Sequence, residues 1–143
     1  MKLLKLTFSV LLAALLFAAC QTTVKISETL SPAELIQRAQ EASDHNRYKI
    51  ALQYYQALYD RNQTNMDLTI TAEYEIAFIY YKQKKYDQAK EGMTSLLEYY
   101  DTPDQELLPQ HFKRLAQIVL ARIDEKEAAK NRGLFSRQQA EQP

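Results

Sequence analysis

A pattern that returns after 38 residues constrains this chain more than any other feature. Arg47-Tyr48 followed by Ala51, Tyr55 and Leu58 recurs as Lys85-Tyr86 followed by Ala89, Met93 and Leu96, and Ala39 maps onto Ala77 at the same offset of 38. Steps of three and four are helical, so each copy reads as a helical hairpin that must bury its apolar face against the next copy. The breakers agree. No proline stands between Ala33 and Thr102, and Gly92 and Gly133 are the only glycines in 143 residues. That excludes a Gly-rich phosphate loop, a dinucleotide fingerprint and the turn chemistry of an all-β fold. The expectation is an all-α domain.

Its limits are also legible. Ser31 precedes Glu34 by three residues with Pro32 between them, a capping box with proline in the first turn, so the folded body begins at residue 31. Apolar residues then recur at helical steps through Leu35, Ile36, Ala39 and Ala42, through Ile50, Ala51, Tyr54, Tyr55 and Leu58, and through Tyr74, Ala77, Phe78 and Tyr81. After Tyr99-Tyr100-Asp101-Thr102-Pro103 the chain restarts, with Pro109 tolerable in a first turn. Leu108, Phe112, Leu115, Val119 and Ile123 give a long last helix one apolar face, expected to cap the stack. The domain is expected over 31–130, and residues 131–143, with Gly133, as a fraying tail.

The N-terminus reads as an address. Lys2 and Lys5 precede the uncharged run Leu6 to Ala19, a signal-peptide pattern too short to span a bilayer comfortably. Phe17-Ala18-Ala19-Cys20 resembles the bacterial lipobox, with Phe where Leu is usual. That resemblance implies a leader over 1–19 and an acylated Cys20 whose N-acyl and S-diacylglyceryl chains hold the protein on a membrane. Residues 20–30, polar and β-branched, are expected to be the anchor and a flexible tether. With Cys20 acylated no thiol remains, so neither a disulfide nor a cysteine metal site is available. Without Lys2 and Lys5 the balance is two charges acidic, which offers nothing to nucleic acid. By resemblance to Gram-negative lipoproteins, Gln21 in place of Asp favours the outer membrane, facing the periplasm.

The paired units resemble tetratricopeptide repeats. In the later unit Ile76, Ala77 and Tyr80 match the first-helix positions, and Tyr86, Ala89, Met93 and Leu96 the second; Glu73 stands where a large residue is expected. In the earlier unit Leu35, Ala39, Tyr48, Ala51, Tyr55 and Leu58 fit, while Arg38 and Ala42 replace the expected Leu and Tyr. The resemblance implies two antiparallel hairpins plus a long C-terminal capping helix, a fragment of an α-solenoid. Ala39 with Ala51, and Ala77 with Ala89, would let paired helices approach closely. The unit exceeds the family's usual length by four residues, which implies a longer connection over Arg61 to Asp67.

Catalytic chemistry is hard to find. His45 and His111 stand far apart without a second histidine at ligand spacing, and no carboxylate pair sits inside an apolar stripe. The reading is not an enzyme, with no metal and no cofactor beyond the Cys20 lipid. The aromatic residues say more, since all ten tyrosines lie from Tyr48 to Tyr100. Tyr48, Tyr55, Tyr80 and Tyr86 fall on the repeat seam, whereas Tyr74, Phe78 and Tyr81, with Lys82, share the face that lines the concave side in the family resembled. The expected partner-binding set is Tyr74, Phe78, Tyr81 and Lys82, with Gln40, Ser43 and Asp44 as its polar side. The alternative is that Phe112 and Leu115 of the last helix cover these rings. Runs like Tyr80-Tyr81-Lys82 and Tyr86-Asp87-Gln88-Ala89 resemble the lipoprotein family of the outer-membrane β-barrel assembly machine, and pilus-assembly lipoproteins are equally compatible. The implied function is a scaffold for another envelope protein or peptide. Two other classes stay open: an accessory protein enclosing an apolar ligand between Tyr74, Phe78 and Phe112, and a structural protein self-associating through Tyr99-Tyr100.

Overall fold

The computed structural model describes residues 23–140; the predicted leader and Cys20 lie outside them. The described chain is all-helical. It contains α1 (Pro32–Asp44), α2 (Tyr48–Arg61), α3 (Met66–Lys82), α4 (Tyr86–Glu98) and α5 (Gln110–Ala140), with short 3-10 turns at Tyr99–Asp101 and Gln105–Leu107. The first helix starts where the capping box demands. Ser31 N donates to Glu34 Oε2 at 2.8 Å, and Glu34 N donates to Ser31 Oγ at 3.3 Å.

The repeat is visible in the backbone. The α1–α2 turn closes with Asn46 N to Ser43 O at 2.9 Å and Arg47 N to Ala42 O at 2.8 Å; the α3–α4 turn closes with Lys84 N to Tyr81 O at 2.9 Å and Lys85 N to Tyr80 O at 3.0 Å. Every one of these atoms has its counterpart 38 positions on. Both turns are Schellman closures, in which one left-handed residue lets two amides reach back to the last carbonyls. The small residues then do what their size allows: Ala39, Ala51, Ala77 and Ala89 are all buried. Gly92 belongs to the same seam, because a Cβ there would lie 2.8 Å from Ala77 Cβ.

Two apolar clusters share α3. Leu35, Ala39, Ala51, Tyr55 and Leu58 pack with Ala72 and Ile79, while Ile70, Tyr74 and Ala77 pack with Ala89, Met93, Leu96, Tyr100, Phe112, Val119 and Ile123. Residues step 100° around a helix, so α3 buries two opposite stripes and stands at the centre of the stack. The last helix joins through Phe112, Ala116, Val119 and Ile123, and the Tyr100 hydroxyl pins the connection by donating to Pro109 O at 2.8 Å.

Three expectations meet differences here. The connection between the hairpins is only residues 62–65, and the extra residues instead lengthen α3, 17 residues against 13 in α1. Asn65 caps that extra turn, its Oδ1 accepting from Leu68 N at 3.3 Å. The last helix continues through Gly133 to Ala140, where a tail is expected, because the leucine, arginines, glutamines and alanine of 131–140 favour helix and one glycine costs only about 1 kcal/mol. The described part of the tether is not a loose linker. Val24, Ile26 and Leu30 pack on the first cluster, Val24 N donates to Gln53 Oε1 at 2.9 Å, and Arg61 holds Ser27 O at 3.1 Å and Glu28 at 3.5 Å. Val24 and Ile26, alternating with exposed Thr23, Lys25 and Ser27, give this strap a half-buried edge with a period of two rather than the steps of a helix.

Candidate functional site

The helix α3 carries a ladder of rings along one side. Tyr74 stacks on Phe78 with centroids 5.7 Å apart, Phe78 on Tyr81 at 5.9 Å, and Tyr81 meets Tyr86 of α4 at 6.0 Å. The end of the ladder nearest α5 is covered: Phe112 lies 5.1 Å from Tyr74, which retains 6% of its exposure. Leu115 points away and is exposed. Tyr74 is therefore taken into the core by Phe112, as the covering reading has it, while Phe78 and Tyr81 are left half-buried at the surface.

The polar side assembles around Lys82. Its ammonium donates to Ser43 Oγ of α1 and sits over two rings, 5.3 Å from the Phe78 centroid and 5.5 Å from that of Tyr48. Ser43 is buried by this contact. Asp44 is exposed but close enough to act on Glu75, whose carboxyl is pushed above the ordinary range chiefly by burial, opposed by Lys82 and reinforced by Asp44. The Tyr55 hydroxyl, buried with no partner in good hydrogen-bond geometry, is raised by burial and by the nearby Glu75 charge. Ser43, Asp44, Phe78, Tyr81 and Lys82 thus share one surface, and Gln40 is exposed one turn back along α1. Glu75 lies beside them, next to the fully buried Tyr55. Sequence reading passed over Glu75, a lone carboxylate whose significance comes from the helix packed beside it.

The remaining expected positions have structural partners. Tyr100 is buried, and the half-buried Tyr99 donates its hydroxyl to Glu73 Oε1 at 2.9 Å. Tyr74 meets both Phe78 and Phe112, with ring centroids 5.7 and 5.1 Å away. Of the seam tyrosines only Tyr55 is fully buried; Tyr48, Tyr80 and Tyr86 are half-buried, while Tyr54, not placed on the seam, is buried. His45 caps α1 through Nδ1 and Glu41 O at 2.7 Å, and His111 rests against Phe112. Among the described residues no three metal-binding side chains gather, and no helix is long and apolar enough to cross a membrane.

The chain is similar to an uncharacterized protein of Treponema pallidum (strain Nichols), 34% identical over 116 residues, which cover 79% of this chain and 46% of that protein. The chain spans about half the length of that relative. No family profile matches it, and no solved structure matches it.

Proposed function

We propose that this protein is a membrane-anchored lipoprotein whose tetratricopeptide-like module scaffolds another envelope protein by holding one of its extended segments. The observation that carries the reading is the preformed surface of Phe78, Tyr81 and Lys82. Two half-exposed stacked rings supply apolar contact, and a cation fixed by Ser43 and two π-faces supplies a donor that costs little entropy to immobilise. Asp44 and Glu75 beside it reject a purely acidic ligand, so the segment that fits carries an apolar side chain for the rings and a neutral acceptor for Lys82.

The strap supports a close attachment to the bilayer. It runs along α2 from Gln53 towards Arg61, so its start lies towards the end of the stack where the turns carry Arg47, Lys84 and Lys85. Three residues separate an acylated Cys20 from Val24, four chain steps with a reach of about 14 Å at full extension. Basic turns against anionic headgroups would orient the module with its groove to the side.

Two measurements test this. Radiolabelled palmitate should enter the wild-type chain and not Cys20→Ser. A photo-crosslinker at Tyr81 in intact envelopes should trap one discrete species that Lys82→Ala diminishes and a crosslinker at Glu125 does not trap. No label, or the same adducts from both positions, overturns the reading.

A further inference from the structure

The exposed charges of this molecule are divided between the two ends of the stack. Around the connection at 62–65 and the 3-10 turns, Asp60, Asp67, Asp101, Asp104 and Glu106 stand exposed and outnumber Arg61, Lys113 and Arg114. At the other end the two hairpin turns present Arg47, Lys84 and Lys85 against Asp44 and Asp87. The last helix leaves the stack at that basic end. It runs antiparallel to α4, with Lys113 over the Tyr100 ring near its start and Asp124 and Glu127 on Lys90, at 2.6 and 3.5 Å, further along. Among the described residues Ile123 is the last of α5 in the core, and the helix continues thirteen residues beyond Glu127, about 20 Å. Residues 128–133 and 135 are all exposed, and the segment from Ala128 to Ala140 holds Lys130, Arg132 and Arg137 with no acidic residue. Phe135 stands on that projection with 62% of its surface exposed.

We propose that this basic end docks on an anionic bilayer, the tip of α5 entering the headgroup layer end-on so that Phe135 reaches the acyl boundary and Lys130 and Arg132 meet lipid phosphates. The hairpin turns, set back behind the tip, face the headgroups. This deepens the lipid-anchored reading above and rests on it for bringing a bilayer within reach: the strap begins beside Gln53, near the start of α2, so an acylated Cys20 lies toward the same end. A ring accompanied by bases suits the interface, which buries the aromatic surface and lets long cationic side chains stay at the phosphates. The division of charge sets the direction, because an anionic surface attracts the basic end and repels the acidic one within a Debye length. Bases near a helix C-terminus also suit the negative end of the helix dipole, but that accounts neither for an uncovered phenylalanine nor for the basic turns at the same end.

The test uses the full chain, extracted from membranes and reconstituted on vesicles. The sequence has no tryptophan, so Phe135→Trp and, at the acidic end, Leu107→Trp each give a single reporter at an exposed position. On vesicles of brominated phosphatidylcholine with about one-third phosphatidylglycerol, the reporter at 135 should lose about half its emission or more, as for a ring at the acyl boundary, and the reporter at 107 should lose little. Omitting phosphatidylglycerol, or adding Lys130→Gln with Arg132→Gln, should cut that quenching about twofold or more. Equal quenching at both positions, no quenching at 135, or quenching there that ignores both lipid charge and the double substitution overturns the proposal. Failure of the anchor would read differently. Flotation with vesicles lacking anionic lipid reports the Cys20 acyl chains: a chain that floats there without quenching at 135 on anionic vesicles keeps its anchor and loses the docking tip, and one that stays in solution there yet is quenched at 135 on anionic vesicles loses the anchor and keeps the tip.

Discussion

Asn46 and Lys84 adopt the same left-handed backbone conformation 38 residues apart, with φ of 57° and 61°. Each is the residue that lets a hairpin turn close in three positions, and neither is glycine. For an ordinary side chain this conformation costs about 1 kcal/mol or more, and asparagine tolerates it best. Lys84→Gly should therefore raise stability by about 1 kcal/mol in urea unfolding. Asn46→Gly should gain less, because Asn46 Oδ1 accepts a 2.7 Å hydrogen bond from the Tyr48 hydroxyl that glycine cannot replace.

Tyr74 and Tyr81 sit two turns apart on one ladder and should respond differently to truncation. Tyr74→Ala empties a space walled by Phe78 and Phe112 and should cost about 3 to 5 kcal/mol of stability. Tyr81→Ala removes a half-exposed ring and should cost about 1 kcal/mol in stability, while weakening partner binding by about 1 to 2 kcal/mol. Thermal unfolding of both variants, with quantified crosslinking, checks the contrast.

Gly92→Ala sets two effects against each other. Alanine favours helix over glycine by about 1 kcal/mol, but its Cβ would stand 2.8 Å from Ala77 Cβ, with no flexible atom able to move aside. Overpacking of this kind costs about 1 to 3 kcal/mol, so a net loss of stability is expected and the melting temperature should fall.

Burial makes folding proton-linked. Folded Glu73 holds its proton more tightly than it does unfolded, so stability declines as pH rises from about 4.5 through the raised folded value, and Glu75 acts in the same sense. Glu73→Gln keeps an acceptor for Tyr99 and removes the penalty. Its advantage over wild type should be absent at pH 3.5 and grow toward pH 8 in paired urea titrations. At the alkaline end the Tyr74 and Tyr99 hydroxyls are pushed up to about 12, chiefly by burial, so stability should fall again above pH 10 as the unfolded chain's tyrosines ionise first.

The strap gives a proteolytic prediction. Val24→Ser with Ile26→Ser removes its two alternating apolar contacts and should cost about 1 to 2 kcal/mol. Limited proteolysis should then cut near Lys25 much faster than in wild type, while the helices from Pro32 onward remain protected.

Sequence alone was enough for the features carried by local chemistry. The capping box at Ser31, the 38-residue recurrence and the buried alanines Ala39, Ala51, Ala77 and Ala89 each follow from hydrogen-bond geometry or side-chain size within a few residues. It also placed Phe78, Tyr81 and Lys82 together on the helix that carries the ladder, because helical spacing suffices for that. What it could not settle depends on contacts between distant segments. Phe112 closes over Tyr74 from a helix more than 30 residues away, Val24 and Ile26 find their partners on α2, and Glu73 matters only because Tyr99 engages one oxygen and the packed helices bury the other. Periodicity tells which way a side chain faces; only the tertiary structure decides whether a neighbour, a ligand or water meets it there.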